Sequence, residues 1–446
     1  MTAGATGSAT VTVNASTTYQ TITGFGGAFN EKGWQYLQML PATMQTAGLQ
    51  ALFDATDGAN FQYGRIPIGS SDYAVARYTD DEVSSGTDYT MAQFSITEDQ
   101  KYLIPFIKAA VAINPKIHLW GSPWTPPTWM KNGPYYAGAT AGYDGGSMKT
   151  DTQTLQAFAL YLAKWVLAYS QESLNIEVIM PQNEPSYAQG YPSCTWTGAL
   201  YNQFIRDYLG PTFTSQSVSA QIFNGTMSQN TGDGSVVAAV TADSNTMKLI
   251  KGFGMQWTMQ SGGSWNFSAS SAMTGSGLPI WETEHQAGNY PWNSTNGNEG
   301  AFNKTQAPNN YGYGVDSWGL ITDWLKVGAN SYSAWNMILD TAGLGLDNTR
   351  AWPQDALLVV DTNAKTLTAT AAYYVFRHFS QYIQPGAKRI GTTSSSLDTM
   401  AFKNPDGSVV TVMHNSGGSA AQTVLSANGS TVGFSVPANG FATVVN

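Results

Sequence analysis

Two glutamates stand where the sequence predicts that buried strands end. Glu184 closes the segment Met180-Pro-Gln-Asn-Glu184-Pro185, and Glu284 closes the segment Ile280-Trp-Glu-Thr-Glu284-His285, about three strand–helix units further along. Cleavage of a glycosidic bond needs such a pair, with one carboxyl group protonated and the other ionised. Like charges in a partly dry cleft separate the two pKa values and so assign the roles. A separation of about 5–5.5 Å between the carboxyl groups would give retention, and a wider one inversion.

A third carboxyl group keeps the pairing open at this point. Glu282 lies two residues before Glu284. Because side chains alternate along a strand, residues two apart point to the same face. The spacing therefore leaves both glutamates as candidates for the partner of Glu184.

Eight short β-rich runs, each followed by a stretch with helical apolar spacing, are the elements that would position these side chains. Alternating strands and helices predict a parallel sheet, and eight units predict a (β/α)8 barrel whose active face lies at the strand carboxyl ends. An open doubly wound sheet is the alternative, but Gly24-Phe-Gly-Gly27 lacks the third glycine of its phosphate-binding turn. The predicted strands are Ile22–Phe29, Phe61–Gly69, Lys116–Trp124, Glu177–Pro185, Gln221–Ser228, Leu249–Trp257, Leu278–His285 and Ser331–Leu339.

Near Lys388 the sequence pattern changes to short runs of alternating apolar and polar residues, separated by Gly, Asn, Pro and Ser. This pattern predicts a small antiparallel β-domain. Thr10–Val13 has the same alternation and is expected to add a strand to it. We therefore divide the chain into an N-terminal contribution to a β-sandwich (1–21), a catalytic barrel (22–387) and the C-terminal β-sandwich (388–446).

Composition excludes several classes of protein. The chain has 446 residues, a net charge of −9 and only 11% charged residues, which gives no basis for binding nucleic acid. One cysteine excludes an internal disulfide framework, and four scattered histidines form no metal motif, so we expect no cofactor. No apolar run reaches the ~18 residues of a membrane span, and no obligate protein partner is inferred.

The N-terminal residues and the low charge bear on where the protein is expected to be located. The first residues lack the basic and apolar regions of a signal peptide. The small, polar N-terminus and the low charge favour a secreted or periplasmic protein over the cytoplasmic alternative.

A series of motifs resembles glycoside hydrolase family 30, the glucosylceramidase and β-1,6-glucanase family. The resemblance covers nearly the whole chain and follows the family's order. The motifs are Gly24-Phe-Gly-Gly-Ala-Phe29, Arg65-Ile-Pro-Ile-Gly-Ser-Ser-Asp72, Ser122-Pro-Trp124-Thr-Pro-Pro-Thr-Trp129, Gln182-Asn-Glu184-Pro185, Trp281-Glu-Thr-Glu284, Ser333-Ala-Trp335-Asn336 and His378-Phe-Ser-Gln-Tyr-Ile-Gln-Pro-Gly-Ala-Lys-Arg389.

The resemblance implies a (β/α)8 barrel with a side β-sandwich built from both chain ends. It also implies retaining double displacement without a metal or organic cofactor. Glu184 would be the general acid/base and Glu284 the nucleophile.

The resemblance gives neighbouring residues roles as well. Asn183 would bond the sugar 2-hydroxyl, and Asp72 would bind hydroxyls far from the anomeric carbon. Trp124 and Trp335 would form apolar walls for the sugar. Arg65 would sit behind the nucleophile and keep it ionised. The alternative for Trp124 and Trp335 is that they are core aromatics. The alternative for Arg65 is a structural ion pair, and the alternative for Asp72 is a turn residue.

Differences from the family's motifs narrow the range of expected substrates. Gln256 and Trp257 stand where many members carry a His-Trp-Tyr type signature, which places the chain outside the mammalian lysosomal type. Asp72 favours a hexose over a xylan unit. His285, next to Glu284, is expected either to contact the nucleophile or aglycone or to be structural.

The expected function is hydrolysis of β-linked glucosides, with β-1,6-glucan or its oligosaccharides as the substrate. Aromatic side chains near the strand ends favour an extended sugar cleft: Trp129, Tyr135, Tyr136, Tyr187, Tyr191, Trp196 and Trp257. Exo-β-glucosidase, glucosylceramidase, β-1,6-galactanase and β-xylosidase activities remain open. A non-catalytic carbohydrate-binding protein and an unrelated barrel enzyme are the remote alternatives.

Overall fold

A closed barrel of eight parallel strands forms the body of the molecule. The computed structural model describes residues 2–3, 7, 9–133, 145–285, 311–346, 354–427 and 429–446. Each barrel strand overlaps one of the eight predicted segments, which confirms the predicted fold class; barrel strand four begins at Ile176, one residue before its predicted segment. Barrel strands one to eight are Gly24–Ala28, Tyr63–Ile68, His118–Pro123, Ile176–Ile179, Gln221–Met227, Ile250–Met255, Ile280–Glu282 and Ser331–Asn336.

Helices follow the strands and cover the outside of the barrel. The longest, Thr152–Gln171, begins at Asp151, whose carboxylate accepts a hydrogen bond of 2.9 Å from the N–H of Thr154. The other α-helices are Glu31–Gln38, Ala42–Phe53, Leu103–Ile113, Gly198–Gln203, Gly210–Ser215, Gly232–Ala242, Ser244–Leu249, Ser270–Gly275, Tyr311–Lys326 and Ala371–Ser380. Short 3-10 turns span Asp99–Lys101, Thr128–Met130 and Trp257–Met259, and a π turn spans Phe204–Leu209.

A second sheet of eight strands lies beside the barrel and draws on both chain ends. Its strand order is Thr2–Ala3, Ser430–Val436, Ala421–Ala427, Ala9–Thr21, Lys388–Ser394, Asp398–Lys403, Val409–Asn415 and Gly440–Val445. The strand Ala9–Thr21 pairs in parallel with Ala421–Ala427 and antiparallel with Lys388–Ser394. The sheet buries a core of its own, which includes Val11, Ile390, Val409, Met413 and Val436. The predicted side β-domain with an N-terminal strand is therefore confirmed.

Smaller sheets complete the strand inventory of the described residues. Ile338–Asp340, Leu358–Asp361 and Thr366–Ala369 form a three-stranded sheet after barrel strand eight. Two hairpins pair Gln260–Ser261 with Ser264–Trp265 and Lys131–Asn132 with Ser147–Met148.

Gly26 in barrel strand one allows the first two barrel strands to approach each other closely. A β-carbon on Gly26 would lie 1.8 Å from the carbonyl oxygen of Tyr63 in barrel strand two. Only glycine permits this approach. The glycine-rich motif therefore reflects barrel closure.

Aromatic and apolar side chains fill the lower interior of the barrel. This layer contains Tyr63, Trp120, Val178, Met180, Phe223 and Trp281. Residues two further along each strand point to the same face, one layer nearer the strand carboxyl ends. Arg65 follows Tyr63 in this way, and Ser122 follows Trp120. The polar site is thus built on a packed floor.

Among the described residues, no helix has the length and apolarity to cross a bilayer.

Candidate active site

Arg65 lies at the centre of the polar layer at the strand carboxyl ends. Its side chain is 0% exposed, and its guanidinium donates to Glu284 Oε2 at 2.5 Å and to Asn183 Oδ1 at 2.6 Å. Further donor contacts reach Ser122 Oγ at 3.1 Å and Thr226 Oγ1 at 3.4 Å. These partners come from barrel strands three and five and from the ends of strands four and seven, and Arg65 itself lies on strand two. One cation therefore holds together the side chains of five strands.

Indole rings enclose the same guanidinium. Its carbon lies 4.4 Å from the ring centroid of Trp124 and 5.3 Å from those of Trp120 and Trp335. Trp124 and Trp335 stack on each other at 5.1 Å between centroids. Burial lowers the pKa of Arg65, and the charge of Glu284 opposes that shift. Cation–π contacts and the ion pair together keep the guanidinium charged in this dry layer.

Glu284 accepts hydrogen bonds on both carboxylate oxygens. Trp257 Nε1 donates to Oε1 at 2.8 Å, while Gln256 Nε2 donates to Oε2 at 3.3 Å beside the Arg65 contact. Gln256 is itself oriented by Thr283, whose hydroxyl donates to the Gln256 amide oxygen at 2.9 Å. Three donors, one of them cationic, stabilise the negative charge of this carboxylate.

The structure gives Glu282 and Glu284 different hydrogen-bond partners. The two carboxylate oxygens of Glu282 accept the backbone N–H groups of Glu284 and Ser333, each at 2.9 Å. Glu282 therefore fastens barrel strand seven to barrel strand eight. Of the two candidates from the sequence, Glu284 is the one that contacts Arg65.

Glu184 is 6% exposed and sits at the end of barrel strand four. Its backbone is left-handed, with φ of +47°, a conformation that is strained for a residue with a side chain. Its N–H donates to the Thr226 carbonyl at 2.9 Å, and Tyr191 donates its hydroxyl to Glu184 Oε2 at 3.0 Å. Burial, and after it the charge of Glu284, raises the pKa of Glu184 to about 8. Glu184 is thus protonated at neutral pH while Glu284 is paired with a cation.

Two buried polar atoms at the site lack partners among the described residues. They are Asp72 Oδ1 and Trp335 Nε1, one acceptor and one donor. The backbone of Asp72 is fixed by Leu346, whose N–H donates to the Asp72 carbonyl at 2.6 Å. Burial raises the pKa of Asp72 well above its usual range. Because buried polar atoms usually have partners, these two are an acceptor and a donor with unused hydrogen-bonding capacity.

The aromatic residues of the sequence analysis divide into two groups. Trp257 is half-buried beside Glu284, and Tyr187 is 36% exposed with its N–H donating to the Glu184 carbonyl at 3.0 Å. Trp129 and Trp196 instead pack in the hydrophobic core. Tyr135 and Tyr136 lie outside the described residues.

Trp124 and Trp335 are both buried beside Arg65. They are 1% and 2% exposed, stack on each other and lie against the guanidinium. Their expected role as apolar walls for the sugar stays a prediction.

His285 has the contacts of a structural residue, one of the two roles expected from the sequence. One ring nitrogen bonds the Tyr332 hydroxyl, and the other lies 3.2 Å from Ser317 Oγ on the helix Tyr311–Lys326. Burial lowers its pKa to about 3, so the ring is neutral. His285 therefore ties barrel strand seven to the helical layer.

Sequence reasoning missed Ser122, Thr226 and Asp233. Ser122 and Thr226 contact Arg65, and Asp233 binds the loops beside Glu184. Ser122 and Thr226 lie at strand carboxyl ends, which is a usable signal. Asp233 lies in the first turn of a helix and resembles an ordinary N-terminal acid. No group of three or more His, Cys, Asp or Glu side chains in the described ranges is arranged to hold a metal.

Comparison with known proteins gives consistent matches over the whole chain. The description "Glycosyl hydrolase family 30 TIM-barrel domain" fits residues 22–383, and "Glycosyl hydrolase family 30 beta sandwich domain" fits residues 386–444. The chain is 28% identical over 427 residues to "Putative glucosylceramidase 1" of Caenorhabditis elegans, covering 91% of this chain and 76% of that protein. It is 25% identical over 423 residues to "Endo-1,6-beta-D-glucanase neg1" of Aspergillus fumigatus, covering 90% and 79%. The solved structure "The endo-beta1,6-glucanase BT3312" superposes with a TM-score of 0.81 at 21% identity, covering 99% and 95%.

The buried ion pair yields a stability prediction. Arg65→Met leaves the Glu284 carboxylate buried without its cation, so the free energy of unfolding should fall by about 3–5 kcal/mol. Urea denaturation at pH 7 measures the loss. Arg206→Met, which breaks part-exposed pairs with Asp207 and Asp243, is the matched control and should cost below about 1 kcal/mol.

The double variant Arg65→Met/Glu284→Gln separates charge from packing. Removing the unpaired carboxylate should recover a large part of the lost stability. An equal loss in the single and double variants would show that Arg65 acts through packing alone.

Proposed function

Because the chain belongs to glycosyl hydrolase family 30 and is a β-glycoside hydrolase, we propose that Glu284 is its nucleophile and Glu184 its general acid/base. The observation that carries this proposal is that Glu284 is paired with the Arg65 cation, while the buried Glu184 forms no ion pair among the described residues. Arg65 pairs with Glu284, whereas burial and the charge of Glu284 keep the proton on Glu184. A retaining hydrolase needs these two states before its first step.

The first step transfers the glycosyl group to the enzyme. A Glu284 oxygen attacks the anomeric carbon as the bond to the leaving oxygen breaks, and Glu184 gives that oxygen its proton. Attack by Oε1 leaves Oε2 on Arg65, because Oε1 is held only by the neutral indole of Trp257. The product is a glycosyl ester of Glu284 and a free leaving alcohol.

The second step hydrolyses that ester. Esterification removes the charge of Glu284, so the pKa of Glu184 falls and its carboxylate can accept a proton from water. The resulting hydroxide attacks the anomeric carbon, the ester bond breaks, and Glu284 returns to Arg65 as a carboxylate. Two inversions at the anomeric carbon give net retention.

Asn183 is placed to act on the sugar 2-hydroxyl. Its amide oxygen accepts from Arg65 at 2.6 Å and from Thr226 at 2.8 Å. That orientation leaves the amide nitrogen to donate to the substrate. A bond of this kind strengthens in the oxocarbenium-like transition state.

The substrate we propose is a β-linked glucoside, with β-1,6-glucan or its oligosaccharides as the best match. The unpartnered atoms of Asp72 and Trp335 offer one acceptor and one donor to hydroxyls of a hexose ring. Trp257 and Tyr187 offer partly exposed aromatic surface where a further sugar would stack. Relatives named as a glucosylceramidase and an endo-1,6-β-D-glucanase support a glucosyl group. A polymeric substrate and the low charge favour action outside the cytoplasm.

Substitution of the three glutamates tests the roles. Glu284→Gln and Glu184→Gln should each lower kcat by roughly 10²-fold or more, because they remove the nucleophile and the proton donor. Glu282→Gln should cost far less activity, since it weakens one backbone contact. Azide should restore turnover to Glu284→Gly and give a glycosyl azide of inverted configuration. Azide rescue of Glu282→Gly instead of Glu284→Gly would reverse the assignment.

Two substrates test the specificity. The enzyme is incubated with β-1,6-glucan and with 4-nitrophenyl β-glucoside, and products are followed by chromatography over time. A ladder of oligosaccharides from the polymer indicates endo cleavage of β-1,6-glucan, and glucose alone from both substrates indicates exo cleavage. Turnover of xylan with neither glucoside cleaved would contradict the hexose assignment, and turnover of β-1,6-galactan alone would contradict the glucosyl assignment.

A further inference from the structure

A further buried carboxyl group, that of Asp233, lies next to the loop that carries Glu184. Asp233, in the first turn of the helix Gly232–Ala242, is 0% exposed. Its Oδ1 accepts the N–H of Ser186 at 2.8 Å, and its Oδ2 accepts those of Ser228 and Gln229 at 2.6 and 3.0 Å. Among the described residues no cation forms a salt bridge with it. Three N–H donors and the helix N-terminus hold its negative charge.

We propose that Asp233 is a positioning residue for the general acid, joining the loop that carries Glu184 to the end of barrel strand five and keeping the proton on Glu184 by its charge. This inference rests on the proposed function, because it takes Glu184 as the acid/base.

The geometry supports the positioning part. Glu184 holds a strained left-handed backbone, so its loop needs contacts from outside to keep that shape. Ser186, two residues on, receives its backbone contact from Asp233. The helix start also abuts this loop, since a β-carbon on Gly232 would lie 2.2 Å from Ser186 Oγ. The carbonyl group of Thr226, at the end of barrel strand five, accepts the Glu184 N–H.

The charges around Glu184 support the electrostatic part. Glu284 and Asp233 both raise the pKa of Glu184, and the hydroxyl of Tyr191 on the same loop lowers it. Arg65 and Asp72 from barrel strand two and the loop after it also face this group. Burial raises the pKa of Asp233, and its N–H donors limit that rise. Asp233 differs from Glu284 in one respect: its charge persists when the nucleophile is esterified.

Asp233→Asn tests the inference. The side chain keeps its size, loses its charge and places an amide N–H against a backbone N–H. The basic limb of kcat/KM should move to lower pH by about one unit. Hydrolysis of methyl β-glucoside should fall about tenfold, and that of 2,4-dinitrophenyl β-glucoside should change little, because this leaving group needs no proton.

Asp243→Asn is the matched control. Asp243 also accepts helix N-terminal N–H groups, from Asn245 at 2.9 Å and Thr246 at 3.3 Å, but it lies outside the site. It should lower stability and leave the basic limb in place. Asp233→Ser is a second neutral variant whose hydroxyl accepts one N–H without the amide clash, and it should shift the limb in the same direction if Asp233→Asn fails to fold.

The outcomes separate the inference from the proposed function. An unshifted basic limb in a folded neutral variant, with equal losses for both leaving groups, would make Asp233 a structural residue only. Full turnover of methyl β-glucoside by Glu184→Gln would instead overturn the assignment of the acid/base itself.

Discussion

The fully buried guanidinium of Arg65 is the constraint on which the arrangement of the site depends. An isolated charge at the position of Arg65 would cost several kcal/mol, so the barrel must supply an anion, hydrogen-bond acceptors and aromatic faces around it. Glu284, Asn183 and two indole rings meet that demand. The proposed nucleophile, Glu284, is therefore also a residue that makes the charge tolerable, which links the proposed activity to the stability of the barrel mouth.

Buried carboxyl groups at this end of the barrel differ only in what donates to them. Glu284 has a cation, an indole and the Gln256 amide, and Glu184 has the hydroxyl groups of Tyr191 and Ser228. Glu282 has two backbone N–H groups, and Asp233 has three. In the proposed mechanism, carboxyl groups in similar burial thus serve as an attacking group, a proton donor, a structural clamp and a positioning residue. The donor set, rather than burial, decides which is which.

The sequence predicted the barrel well, because apolar runs ending in Gly, Pro or Asn are what doubly covered parallel strands require. It also placed Glu184 and Glu284 at strand ends. It could not separate Glu282 from Glu284, because pleating gives both the same face and only a cross-strand contact distinguishes them. It placed His285 by chain proximity to Glu284, whereas the ring turns to the helical layer. Asp233 escaped notice since its partners are backbone N–H groups, which leave no trace in residue types.

Trapping the covalent intermediate tests the central claim most directly. A 2-deoxy-2-fluoro-β-glucosyl fluoride slows the second step more than the first, so the glycosyl ester accumulates and its position can be read by mass spectrometry of a peptic digest. The account predicts one fluoroglucosyl group per chain, attached to Glu284. Attachment to Glu282, or product of inverted configuration with no trapped ester, would contradict it.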